Sequence, residues 1–313
     1  MRLPARLRLI EVGPRDGFQM EAKPIPVELK VEAIEGLAAA GLRHIEAVSF
    51  VSPRVIPQMA DAAQVLARIE RRPGVEYLAL VPNLRGAERA LAAGADGLRL
   101  VVCASETFNQ RNVGLAVASS MTTFGRIVRL AESAGVRATL ILAVAFGCPF
   151  EGEVAVRRVI DLARQAVDLG ASAVGLADTA GVANPLQVAN LLRKLRRAQP
   201  ELPVWLHLHD TRGMGLANAM AALGQGADSF DTSCGGLGGC PVMRGASGNL
   251  ATEDLAYLGQ ELGLATGVDL DALRAVSLRL AGFLGRELPS RVLAAGTRGE
   301  LVAAHRDLVA GQP

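Results

Sequence analysis

Ser133-Ala134-Gly135-Val136-Arg137-Ala138-Thr139-Leu140-Ile141-Leu142-Ala143-Val144 follows an amphipathic segment over 118–134, and its order decides the fold. A glycine just past a helix supplies the left-handed cap, and the short apolar run behind it reads as a buried parallel strand. The same order returns at Ala39-Ala40-Gly41 before Leu42–Val48 and at Ala92-Ala93-Gly94 before Leu98–Val102. It returns again at Leu169-Gly170 before Ala173–Leu176 and at Gln225-Gly226 before Asp228–Asp231. The spacing is roughly 40 residues, the size of a βα unit with loop insertions.

Leu7–Val12, Val75–Val81 and Val204–His209 bring the expected strands to eight. Helices are expected over 27–40, 57–71, 84–93, 118–134, 153–169, 185–198, 214–225 and 252–263. Strict alternation of this kind predicts an α/β fold, a closed (β/α)8 TIM barrel. The competing arrangement is an open doubly wound sheet, but no G-x-G-x-x-G follows the first strand. The barrel domain is expected over 1–265, with 266–313 as a C-terminal helical extension packed on it. Asp269 to Leu284 reads as an extra helix and the remainder to Pro313 as a weakly ordered tail.

At 313 residues, half of them hydrophobic, the chain supplies a large core, and with 4% aromatic residues that core must be mostly Leu, Val, Ala and Ile. A net charge of +2 gives no electrostatic case for nucleic acid or membrane partners. No apolar run reaches membrane-spanning length without a charge or a Gly/Pro break. The start is basic but short, and a strand follows at once, which leaves no room for a cleaved leader. Cys103, Cys148, Cys234 and Cys240 lack C-x-x-C spacing, so neither a disulfide framework nor a zinc ribbon is expected. The expected address is cytoplasmic.

Two of the four histidines stand in Trp205-Leu206-His207-Leu208-His209-Asp210. On a strand, residues i and i+2 share a face, so His207 and His209 project together with Leu206 and Leu208 opposite. Such a pair either holds one metal ion or is a pair of hydrogen-bonded core histidines; alone it does not decide. The other strand ends add weight, because catalytic groups of a (β/α)8 barrel lie at the C-terminal ends of its strands. Strand 1 ends in Gly13-Pro14-Arg15-Asp16-Gly17, strand 2 carries Glu46 and Ser49, and strand 6 ends in Ala177-Asp178-Thr179. After strand 8 come Cys234-Gly235-Gly236-Leu237-Gly238-Gly239-Cys240-Pro241 and Gly245-Ala246-Ser247-Gly248-Asn249. Each residue has an ordinary use as a cap or turn former. Packing alone would not gather so many ionisable groups at one end.

From Val12 to about Leu264 the chain resembles the HMG-CoA lyase family, within the metal-dependent lyase and Claisen-condensing barrels. The markers are Val12-Gly13-Pro14-Arg15-Asp16-Gly17, Ser49-Phe50-Val51-Ser52-Pro53, Gly147-Cys148-Pro149-Phe150-Glu151-Gly152, His207-Leu208-His209-Asp210-Thr211 and Gly236-Leu237-Gly238-Gly239-Cys240-Pro241. The resemblance implies a divalent cation held by Asp16, His207, His209 and Asn249. A mixed oxygen and nitrogen set suits Mg²⁺ or Mn²⁺, with Co²⁺ or Zn²⁺ as alternatives. It further implies that Arg15 faces the thioester carbonyl, that Cys240 is a thiol on a mobile loop, and that Glu46 and Asp178 orient the site. His207 is the expected base or relay, with Asp16 as the alternative; Cys103, Cys148 and Cys234 are expected to be packing residues.

The implied reaction is retro-Claisen cleavage of a 3-hydroxyacyl-CoA, 3-hydroxy-3-methylglutaryl-CoA giving acetyl-CoA and acetoacetate, as in leucine degradation. The implied partners are an acyl-CoA substrate and a second copy in a homodimer. Arg15, Gln19, Met20 and Arg212 are the expected substrate-binding residues. Three positions depart from the family pattern: Met20 stands where Asn is usual, Arg212 where Tyr is common, and Val242-Met243-Arg244 follows Cys240-Pro241. A thioether in place of an amide removes a polar contact, while added arginines suit carboxylates or phosphates. Citramalyl-CoA, or a longer branched analogue, therefore stands as the alternative substrate, and a non-catalytic metal-binding barrel as the alternative of another class.

Overall fold

A computed structural model of the chain describes residues 3–239 and 248–310. Eight strands close into one all-parallel barrel in sequence order. They are β1 (Arg8–Glu11), β2 (His44–Ser49), β3 (Glu76–Leu80), β4 (Gly97–Cys103), β5 (Arg137–Ala143), β6 (Val174–Asp178), β7 (Val204–Leu208) and β8 (Ser229–Thr232). Closure comes from β1 pairing with β8, with Ile10 opposite Asp231 and Glu11 opposite Thr232. Around the barrel lie α1 (Val27–Ala39), α2 (Ala62–Arg68), α3 (Leu84–Ala92), α4 (Glu106–Val113), α5 (Val117–Ser133), α6 (Val156–Asp168), α7 (Pro185–Ala198), α8 (Gly215–Gly224) and α9 (Thr252–Glu261). Three more helices follow: α10 (Leu270–Leu284), α11 (Arg291–Ala295) and α12 (Arg298–Ala310).

Local chemistry explains where the helices start and stop. At α7, Asn184 accepts from the Gln187 backbone N–H while the Gln187 side chain accepts from that of Asn184, and Pro185 occupies the first turn. The segment 57–71 is not one helix: a 3₁₀ turn at Pro57–Met59 precedes α2. The buried Lys30 ammonium pins that break, donating to the Gln58 carbonyl and to both Asp61 oxygens. Helix α4, unforeseen from the sequence, starts where Ser105 accepts from the Phe108 N–H and stops at Gly114. The stretch beyond Leu284, expected to be weakly ordered, carries α11 and α12.

The outer core is one continuous layer between strands and helices, joining Ile34 and Leu37 of α1, Ile45 of β2, Val128 of α5, Leu191 of α7 and Leu273 of α10. Trimming one such residue to alanine costs about 2–5 kcal/mol. Helix α10 lies on α1, so close that a Cβ on Gly36 would meet Val276 Cγ2 at 2.6 Å. Inside the barrel the usual branched aliphatic layers give way to polar ones. Arg99, Glu46 and Asp231 are fully buried there. Below them, at the N-terminal mouth, is a cavity of about 250 Å³ lined by Arg8, His44, Glu76, Arg99, Arg137 and Trp205 among others.

Candidate active site

The C-terminal mouth holds the groups singled out in the sequence. Strand β1 runs into a buried π-type turn at Gly13–Gly17, in which the Asp16 N–H reaches back to the Val12 carbonyl at 2.6 Å. That turn points adjacent side chains, Arg15 and Asp16, into one site. Arg15 donates through Nη1 to Asp16 Oδ1 at 2.5 Å and through Nη2 to Glu46 Oε2 at 2.8 Å. Glu46 reaches inward from β2, whose register against β3 shifts between Glu46 and Val48; such irregularities re-aim a side chain. Gln19 donates to Asp16 Oδ1 at 3.0 Å.

From β7, Leu206 and Leu208 pack outward while His207 and His209 face the interior, with their Nε2 atoms 3.1 Å apart. The backbone of His209 pairs with that of Asn249 in a short antiparallel bridge. Asn249 donates to Asp16 Oδ2 at 2.7 Å and to the Leu237 carbonyl at 3.2 Å. Its Oδ1 and His209 Nδ1 are buried without a hydrogen-bond partner among the described residues. One donor atom each from Asp16, His207 and His209 lies within 4.8 Å of the others. Two imidazoles, a carboxylate and an unsatisfied amide oxygen in one buried spot form a donor set that fits a divalent cation.

Electrostatics favours the ligand forms of these side chains. Burial, with His207 alongside, lowers His209 to about 4, so its imidazole is neutral at pH 7. Burial opposes ionisation of Asp16, yet Arg15 and then His207 hold its carboxyl at about 2. Asp231, absent from the sequence reading, accepts from His207 Nδ1 at 3.1 Å. A carboxylate can only accept, so the proton sits on Nδ1 and the Nε2 lone pair faces the cluster. Arg99, also absent from that reading, donates to both oxygens of Asp231 at 2.9 and 2.8 Å and to Glu46 Oε2 at 3.3 Å.

Other expected residues fall elsewhere. Both Asp178 oxygens accept from its own loop, from the N–H groups of Val182 at 2.9 Å and Ala183 at 3.0 Å. Burial raises its pKa. Arg212 is exposed and donates to the Ala180 and Gly181 carbonyls, both at 3.0 Å, which staples the β6 and β7 loops together. Met20 is half-buried at the end of the β1 loop. Cys240 and Val242-Met243-Arg244 lie outside the described residues. Cys103, Cys148 and Cys234 are buried, and burial pushes the Cys103 thiol up to about 12, the mark of inert packing residues.

The described part of the glycine-rich loop sits directly on the cluster. Gly238 has φ 120°, and a Cβ there would meet Asn249 Nδ2 at 2.5 Å. Only glycine fits both that backbone angle and that approach. Glu11 anchors the loop from below: its Oε1 accepts from the Gly13 and Cys234 N–H groups and its Oε2 from Thr252 Oγ1. Glu253 does the same from α9, accepting from the Gly235 N–H at 2.9 Å and from Ser277 Oγ.

Residues 6–279 match the family model described as HMGL-like. The chain belongs to the HMGL-like family. Among curated relatives, a hydroxymethylglutaryl-CoA lyase of Pseudomonas mevalonii is 44% identical over 91% of this chain and 95% of its own length. A 3-hydroxy-3-isohexenylglutaryl-CoA/hydroxymethylglutaryl-CoA lyase of Pseudomonas aeruginosa is 43% identical over 93% of this chain and 97% of its own. Among solved structures, an HMG-CoA lyase from Acinetobacter baumannii in complex with coenzyme A and 3-methylmalate superimposes with a TM-score of 0.90. It is 42% identical and covers 94% of this chain and 96% of its own. In this HMGL-like barrel, the family's fold and the donor cluster meet at the mouth where such barrels carry their chemistry.

Proposed function

We propose that this protein is a divalent-metal-dependent carbon–carbon lyase that cleaves 3-hydroxy-3-methylglutaryl-CoA to acetyl-CoA and acetoacetate. The observation that carries the reading is the convergence of Asp16, His207 and His209 donor atoms within 4.8 Å, next to the buried guanidinium of Arg15. A cation held by Asp16, His207, His209 and Asn249, Mg²⁺ or Mn²⁺ in preference to Co²⁺ or Zn²⁺, would supply Lewis acidity toward the substrate hydroxyl. With its Nδ1 proton held by Asp231, His207 has one free lone pair, on Nε2, which would either hold the cation or take the hydroxyl proton, not both at once. Asp16, held ionised against burial by Arg15 and His207, is the alternative acceptor. As the carbon–carbon bond breaks, its electron pair passes to the acetyl-CoA enolate and acetoacetate departs. Arg15 offers a fixed positive charge where the enolate oxygen develops, and its Nε has no partner among the described residues. Cys240 donates the proton that converts the enolate to acetyl-CoA.

Glu46 orients Arg15, Asp178 orders the β6 loop, and Gln19, Met20 and Arg212 border the acyl-CoA. Residues 1–265 form the catalytic barrel and 266–313 its helical extension. The protein is read as a cytoplasmic homodimer of leucine degradation, without nucleic acid or membrane partners. The unpaired Cys103, Cys148 and Cys234 suit a reducing compartment, and among the described residues no helix is long and apolar enough to cross a membrane. A second reading, a lyase for a longer branched 3-hydroxyacyl-CoA or for citramalyl-CoA, is favoured by Met20 and by the two acyl chains in the name of the P. aeruginosa relative.

The test is a kinetic comparison on metal-reconstituted protein, with acetyl-CoA release followed for HMG-CoA, citramalyl-CoA and 3-hydroxy-3-isohexenylglutaryl-CoA. A kcat/KM for HMG-CoA at least tenfold above the others, about 1.4 kcal/mol of transition-state preference, is expected. The reverse ratio moves the substrate. Metal retention without turnover of any of the three leaves only a metal-binding barrel.

A further inference from the structure

Arg15 and His207 enter the site from two strands separated by β8, on the β1 loop and on β7, and one unbroken chain of charged contacts joins them across the barrel interior. It runs from Arg15 to Glu46 at 2.8 Å, from Glu46 to Arg99 at 3.3 Å, from Arg99 to Asp231 at 2.8 Å, and from Asp231 to His207 Nδ1 at 3.1 Å. Every link is buried, and Arg99 is only 2% exposed. Arg99 is the middle link and the one member that touches neither the donor cluster nor Arg15. We propose that Arg99 is a positioning residue: its guanidinium sets the carboxylates of Glu46 and Asp231, and through them the orientation of Arg15 and the tautomer of His207.

The physical case rests on geometry and charge. Two carboxylates facing each other in a dry barrel would repel and each lose their solvation; one planar fork with five N–H donors holds both at fixed angles. Both oxygens of Asp231 are taken by Nη2 of Arg99, so the carboxylate cannot swing, and its Oδ2 is left in line with His207 Nδ1. Arg99 is itself seated on an aromatic face, its guanidinium carbon 4.8 Å from the centroid of the Trp205 ring. That ring fits because the facing position is Gly175, where a Cβ would strike the indole at 2.4 Å. Outer partners of metal-binding imidazoles fix tautomer and basicity, and their loss weakens metal affinity about 10–100-fold.

The proposal rests on the lyase reading for its kinetic consequence but not for its metal-binding one. Arg99→Ala is expected to bind Mn²⁺ about 10–100-fold more weakly and to lower kcat for HMG-CoA with little change in KM. The cavity at the N-terminal mouth reaches the Arg99 position from the side opposite the active site. Free guanidinium at tens of millimolar, well below denaturing strength, can therefore enter it. It should restore Mn²⁺ affinity and kcat in Arg99→Ala, where the same concentration of Na⁺ does not. Trp205 is the chain's one tryptophan, so its emission should shift in Arg99→Ala and return as guanidinium fills the gap.

Wild-type Mn²⁺ affinity and kcat in Arg99→Ala would overturn the proposal, as would a folded variant that guanidinium rescues in emission but not in affinity. If Arg99→Ala does not fold, Arg99→Lys is decisive. It keeps the charge and loses the fork, and Mn²⁺ affinity equal to wild type would refute the assignment. A wild-type protein that binds Mn²⁺ without cleaving any 3-hydroxyacyl-CoA, while Arg99→Ala still weakens that binding, would remove the lyase reading and support the positioning role.

Discussion

Asp16 and Asp231 lie beside arginines, whereas Glu11 and Glu253, equally buried under the same mouth of the barrel, are met only by N–H and hydroxyl donors. The outcomes differ. Arg99 outweighs burial and holds Asp231 low, and Arg15 holds Asp16 at about 2. Burial wins at Glu11 and Glu253, and both rise to about 7 despite their hydrogen bonds. A neutral donor therefore does not replace a guanidinium in a desolvated site. The arginines hold the first pair toward the ionised form. The second changes charge near neutrality at the root of the glycine-rich loop.

The sharpest way to break the contrast is Arg15→Met. Asp16 would join the second class and its carboxyl would rise, while the enolate oxygen would lose its cation. The expected loss is about 10³-fold in kcat, read from acetyl-CoA release, and a near-normal kcat would end the proposed mechanism. Next comes His209→Ala, which removes a neutral donor and leaves the charges in place. Mn²⁺ affinity, measured by calorimetry, should fall by more than about 100-fold with the melting temperature of the metal-free protein little changed.

The pH dependence sharpens the comparison from the other side. Because burial lifts Glu11 and Glu253 from 4.5 to about 7, the folded state binds more protons than the unfolded chain between those values. Stability from their neutral forms is complete below about 4.5 and is lost as the pH rises through about 7. Glu11→Gln should remove about one proton from that linkage, flattening the slope of unfolding free energy by about 1.4 kcal/mol per pH unit. Urea titrations from pH 5 to 8 check it. The smallest effect is expected at Asp178, which sits between the classes, raised by burial despite the nearby Arg212. Arg212→Ala should cost about 1 kcal/mol of stability, raise KM for the acyl-CoA and leave kcat unchanged; a large loss of kcat would place Arg212 in the reaction itself.

The barrel was legible because five glycine-preceded apolar runs recur 35 to 56 residues apart, the size of a βα unit with loop insertions. The grouping of the donor side chains was legible because His207 and His209 obey strand alternation and Asp16 follows a strand end. Arg99 and Asp231 escaped for the same reason that strands are easy to see. One charged residue in Leu98-Arg99-Leu100 looks like the wet face of a half-buried strand, and nothing local says that this face closes on itself. An arginine in a strand whose two faces are both covered has to be paired, which was the usable signal. The broken helix at 57–71 depended on Lys30, far off in the chain, and no window of sequence contains that contact.

Glu253 and Asp254 are neighbours that fasten opposite things. The first holds Gly235 of the active-site loop; the second accepts from Ser290 Oγ and from the N–H groups of Arg291 and Val292, tying down α11. For anyone trimming or tagging this protein, the safe cut therefore lies between α11 and α12. Helix α12 leaves Leu301 and Val302 exposed, and a fusion or deletion there disturbs little. Removing Ser290 to Val292 instead strips Asp254 of three donors one residue from Glu253, so a shortened tail would be felt at Gly235, through the first turn of α9.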